Sequence, residues 1–128
     1  MYSARLLDHF EHPRHAGELP QANVRVRVEN PACGDILELT AEIQNGLIRA
    51  IRFRAKGCVP AMACGSAVSA LLEGQPVAQL LSIHKEDVLR EVEAVPPASG
   101  HAVHLALDAV SELWKAASHL AISVTGSR

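Results

Sequence analysis

Residues 24–28 read Val-Arg-Val-Arg-Val, and the same two-residue period returns at Leu37, Leu39, Ala41 and Ile43 before stopping at Asn45-Gly46. Strict alternation places every second side chain on one face of a strand, and Asn-Gly supplies the two positive-φ residues of a type I′ turn. The pattern predicts two strands, a tight hairpin and a third strand over about residues 47–55, which together form a small antiparallel meander. The flanks read as helix. Tyr2, Leu6, Leu7 and Phe10 fall at helical spacing until His12-Pro13. Pro60 suits the first turn of a helix that ends at about Glu73-Gly74. Val77, Leu80 and Leu81, then Val88, Leu89 and Val92, mark two short helices, and Val95-Pro96-Pro97 breaks the run. Val103, Leu107, Val110, Leu113, Trp114 and Ala117 make one apolar stripe along a long last helix. The expected architecture is α+β, a three-stranded antiparallel sheet with helices packed over one face.

The chain has 128 residues, 48% of them hydrophobic, which suits one domain spanning 1–128 with a core of its own. No internal repeat or linker interrupts it. A formal charge of −2 and 3% aromatic residues argue against nucleic acid as a partner. No apolar run approaches the roughly 18 residues of a membrane span. The cysteines number three, an odd count, and no secretory signal pattern is present, so the expected setting is the reducing cytoplasm with thiols free or metallated.

Two of those thiols sit in glycine-bearing phrases, Glu29-Asn30-Pro31-Ala32-Cys33-Gly34-Asp35 and Phe53-Arg54-Ala55-Lys56-Gly57-Cys58, and His101 follows Gly100. Cys33 falls in the first strand connection and Cys58 just past the third strand, so both can reach the same end of the sheet. Thiolate, imidazole and carboxylate suit tetrahedral zinc, and thiolates with occasional substitutions also hold iron–sulfur clusters. Spacing does not choose between them, and the gaps are too wide for a local zinc knuckle, so the site must be assembled by tertiary folding. Cys58 at a helix N-terminus is expected to favour the thiolate. His9, His12, His15 and His104 read as surface or hydrogen-bonded histidines, and Arg54 and Lys56 as a solvated strand face.

Four ordered phrases carry a resemblance. Leu6-Leu7-Asp8-His9-Phe10-Glu11-His12-Pro13-Arg14-His15-Ala16-Gly17, the segment around Cys33, the segment from Phe53 to Ala63, and Pro96-Pro97 with His101 to Asp108 resemble, in order, the motifs of the U-type iron–sulfur cluster assembly scaffolds, the IscU, SufU and NifU N-terminal family. The resemblance implies a carrier and not a turnover enzyme. Such a scaffold builds a transient [2Fe-2S] cluster from iron and sulfur delivered by a cysteine desulfurase, hands it to acceptor proteins, and can hold zinc at the same site. By matched position Cys33 and Cys58 are ligands, His101 is a direct or accessory ligand, and Asp35 is the acid that keeps the cluster labile. A monomer or weak homo-oligomer is expected.

The departures from the family pattern are specific. Alignment of His101 and Leu105-Ala106 without gaps puts Ala102 where the family carries its third cysteine. Cys64 stands instead where relatives usually have serine, as a candidate additional thiol whose direction depends on where its helix begins. Val95-Pro96-Pro97-Ala98-Ser99 lacks the lysine of the family's chaperone-recognition phrase, which argues against heat-shock chaperone-driven release. The insertion that marks SufU proteins is also missing. Two other functions remain open on these residues: a zinc-bound structural or regulatory module held by Cys33, Asp35, Cys58 and His101, and a SufE-like sulfur carrier acting through Cys58 or Cys64.

Overall fold

The computed structural model describes residues 2–32 and 34–126, with side chains described through residue 120. Cys33 lies outside the described residues. The elements run α1 (Ala4–Glu11), β1 (Val24–Glu29), β2 (Ile36–Gln44), β3 (Leu47–Lys56), α2 (Val59–Leu72), a 3₁₀ turn (Val77–Ser82), α3 (Lys85–Val92), a second 3₁₀ turn (Pro97–Ser99) and α4 (Gly100–Gly126).

The meander forms as the alternation predicts. β1 pairs with β2 from Val24↔Ala41 to Glu29↔Ile36, and β2 pairs with β3 from Ile36↔Lys56 to Gln44↔Leu47, with a register shift at Glu42/Ile43. Asn45 and Gly46 both have positive φ, 55° and 75°, as a type I′ turn requires. This register gathers Val24, Leu37, Leu39, Ala41, Ile51 and Phe53 on one buried face, with Arg25, Arg27, Glu38 and Arg54 on the other. The loop before β1 crosses the polar face. Leu19 N–H donates to Thr40 Oγ1 at 3.0 Å there, and Glu18 bridges Arg25 and Arg54.

Two helices cover the apolar face, α2 against β3 and α4 against β1 and β2. α2 is apolar around most of its circumference because most of it is buried, between the sheet and α1, with Ala70 exposed. It approaches the sheet at Gly65, where an added Cβ would stand 2.7 Å from the Phe53 ring and 3.1 Å from Leu37 Cδ1. On α4 the expected stripe is half of what is buried. Val103, Val110, Leu113 and Ala117 are inside, Leu107 and Trp114 pack at the margin, and Ala102, Leu105, Ala106 and Ala109 make up the rest of the buried face. Alanine lets a helix lie close but carries too weak a hydrophobic signal to mark the buried face. No helix among the described residues is long and apolar enough to cross a membrane.

The N-terminal helix docks through polar contacts as well as through Leu6, which packs with Ala63, Ala67 and Val92. Ser3 caps α1 by accepting from Leu6 N–H and also donates to the Val92 carbonyl. His9, buried, has Nδ1 2.8 Å from Ser66 Oγ and Nε2 3.4 Å from Glu91 Oε1, while Arg14 N–H donates to Ser66 Oγ at 2.8 Å. Burial pushes the His9 pKa down, the Arg14 guanidinium adds to this, and Glu91 and Asp8 oppose it only in part. The unfolded chain therefore takes up a proton that the folded one resists. Stability should be complete above the ordinary histidine pKa of about 6.5 and decline as pH falls below it toward the depressed folded value. Denaturant melts at stepped pH check this, and His9→Gln should flatten that part of the profile.

Candidate metal centre

The pairing Ile36↔Lys56 sets the ends of β2 and β3 side by side, so the residue before one strand and the residues after the other are neighbours. Asp35 precedes β2. The turn that delivers it is closed by Gly34 N–H donating to the Asn30 carbonyl (2.7 Å), Asn30 N–H to the Asp35 carbonyl (2.8 Å) and Ala32 N–H to Asn30 Oδ1 (3.0 Å), with Gly34 at φ 79°. Cys58 follows β3 as the N-cap of α2, in extended conformation, with Pro60 in the first turn. His101 stands in the first turn of α4, reached through the short Pro97–Ser99 turn. Strand pairing and two helix starts thus converge on one end of the sheet.

Three donor atoms meet there. Cys58 Sγ is 3.4 Å from Asp35 Oδ2 and 3.8 Å from His101 Nε2, and those two atoms are 3.4 Å apart. Around a tetrahedral zinc with ordinary bond lengths, neighbouring sulfur, nitrogen and oxygen donors lie about 3.3–3.6 Å apart. The three atoms already approximate one face of such a tetrahedron. Asp35 is 6% exposed, and among the described residues its side-chain partners are this thiol and this imidazole. A bound cation would balance the buried carboxylate. The donor set therefore fits a metal chemically as well as geometrically.

The expectation of a thiolate at Cys58 is reversed. Burial raises the Cys58 pKa and the Asp35 carboxylate raises it further, and together they outweigh the Ala61 backbone N–H at the helix start, which lowers it. The thiol proton points to Asp35, and metal entry must expel it.

Among the predicted site residues, Asp35, Cys58 and His101 come together, and Cys33 lies outside the described residues. Cys64 does not join the group. It is 0% exposed in the main core, and burial, with the charge of Cys58 added, pushes its thiol up to about 12. Ala102, beside His101, is also buried. Sequence reasoning passed over the packing role of Gly57. An added Cβ there would press directly on the Asp35 carboxylate, and the only trace of this in the sequence is a glycine next to a candidate ligand.

Residues 1–118 match the family model described as the NifU-like N terminal domain. The iron–sulfur cluster assembly scaffold protein IscU of Aquifex aeolicus is 34% identical over 109 residues, covering 84% of this chain and 69% of that protein. The IscU scaffold protein of Escherichia coli is 34% identical over 113 residues, covering 85% and 88%. Among solved structures, the N-terminal NifU-like protein of Brucella abortus superposes with a TM-score of 0.76 at 15% identity over 91% of this chain and 94% of that one. The scaffold protein assigned to the SUF system of Fervidobacterium islandicum does so with 0.73 at 15% identity over 88% and 96%. The two structures support the fold.

Proposed function

The chain belongs to the NifU-like N-terminal domain family, and on that premise we propose that it is an iron–sulfur cluster assembly scaffold, a carrier that receives a [2Fe-2S] cluster as cargo and passes it to acceptor proteins. The observation that carries this reading is the convergence of Asp35, Cys58 and His101 at one end of the sheet. In this reading Cys33 joins them as the second thiolate, and a cysteine desulfurase supplies sulfur in the cytoplasm. The chain's own residues set the terms of loading. Cys58 gives up its proton as the metal enters, and the neighbouring Asp35 and His101 lie close enough to take it up or to ligate. Two thiolates with one imidazole and one carboxylate hold iron less firmly than four thiolates, because the oxygen donor is a poor match for a soft site. A carrier that must release its cargo benefits from that weakness.

The spacing of the three donors supports a second reading. They surround one point, as for a single ion, and with Ala102 in place of a third thiol the set equals a complete zinc site once Cys33 is added. Zinc at this position would compete with cluster assembly or replace it. Anaerobic reconstitution with iron, cysteine and a desulfurase, followed by incubation with an apo-ferredoxin, separates the two. Transfer of a cluster to the ferredoxin is expected from the scaffold, and tightly held zinc with no transfer would leave only the zinc module.

A further inference from the structure

We infer that Gly57 is the positioning residue for Asp35, and that the missing side chain at 57 is what lets a carboxylate stand among the metal donors. The inference rests on the reading of this end of the sheet as a metal centre. Gly57 has φ 144°, and a Cβ built on it would stand 2.5 Å from Asp35 Cγ, 3.0 Å from Asp35 Cβ and closer still to Oδ1. Carbon atoms in ordinary contact are about 3.5–4.0 Å apart, so the carboxylate would have to move by about 1 Å. Asp35 is buried, and Oδ2 is the atom that faces both Cys58 Sγ and His101 Nε2. Because Asp35 Cβ is crowded as well as the carboxylate, rotation of the terminal group alone does not relieve the overlap. A methyl group at 57 would therefore drive the oxygen donor out of the triad and leave thiolate and imidazole behind. Gly57 thereby controls the hard member of the donor set, the one that distinguishes this site from a purely soft one.

A double-variant cycle tests this, using wild type, Gly57→Ala, Asp35→Ala and the combined variant. Zinc affinity is measured by chelator competition, and metal-free stability by denaturant melts. Gly57→Ala should weaken zinc binding by about 10–100-fold, the range for loss of a group that orients a ligand, and should add little once Asp35 is already alanine. Metal-free stability should show the same coupling, with the Gly57→Ala penalty smaller in the Asp35→Ala background. The cost of holding alanine at positive φ and the crowding against Cβ of residue 35, which alanine keeps, are common to both backgrounds and cancel. Equal penalties in both backgrounds would overturn the inference, because the carboxylate would then play no part in the cost. If Gly57→Ala does not fold, recovery of folded protein in the combined variant supports the inference, and failure of both overturns it. A wild type that binds no zinc would count against the metal-centre reading, while the metal-free cycle would still decide whether Gly57 places Asp35.

Discussion

Cys58→Ala is expected to abolish cluster assembly and to weaken zinc binding by more than the roughly 100-fold that marks loss of a ligand's supporting partner. Among the described donors that converge, Cys58 is the one thiol, and Asp35 and His101 both approach its sulfur. In the proposed site its removal leaves Cys33 as the lone thiolate beside a carboxylate and an imidazole, a set too poor in soft donors to hold a cluster. The protein should nevertheless stay folded. Cys58 is the half-buried N-cap of α2 with no side-chain capping bond, so the helix loses nothing that its thiol supplied. Chelator competition read beside circular dichroism checks both halves of this expectation. Cys64→Ala, by contrast, removes a thiol fully enclosed in the core, and its effect should appear in stability before metal binding.

The largest effect on stability is expected at Phe53. Its ring is 4% exposed in the main core and lies directly under Gly65 of α2, and its backbone bonds the chain at both ends of an isolated bridge, from Phe53 N–H to the His15 carbonyl (2.9 Å) and from Gly17 N–H to the Phe53 carbonyl (2.8 Å). Truncation to alanine should cost about 3–5 kcal/mol, a large share of the roughly 5–15 kcal/mol that keeps a domain folded. The same geometry makes the site sensitive in the opposite direction. Gly65→Ala overfills the α2–sheet contact at a cost of about 1–3 kcal/mol. Combined with Phe53→Ala, the added methyl group enters space that the ring has vacated, so the double variant should be more stable than the sum of the single effects allows. Denaturant titrations of the three proteins measure this directly.

Much of this fold could be read from local signals. The Val-Arg alternation, the Asn45-Gly46 turn, Pro60 near a helix start and Gly74 (φ 82°) past its end act over a few residues and survive into the structure. The meeting of three candidate donors was legible for a related reason. Asp35, Cys58 and His101 each stand at an element boundary, and the register of the meander brings the first two together without help from distant packing. What could not be read depends on distance or burial. The direction of Cys64 depends on the start of α2 at Val59, which turns that thiol into the core. The protonation of Cys58 was misjudged because a helix N-terminus can be seen in a sequence, whereas burial and the approach of Asp35 cannot. The pressure of position 57 on Asp35 arises only once the two strand ends are side by side.

The central claim is that this donor set, with Ala102 in place of a third thiol, still assembles a cluster. Mössbauer spectroscopy of the wild-type protein after anaerobic reconstitution with ⁵⁷Fe, cysteine and a desulfurase tests it most directly. A [2Fe-2S] doublet that disappears in Cys58→Ala is the predicted result. Iron absent from any cluster in the wild type, with zinc retained by Asp35, Cys58 and His101, would contradict it.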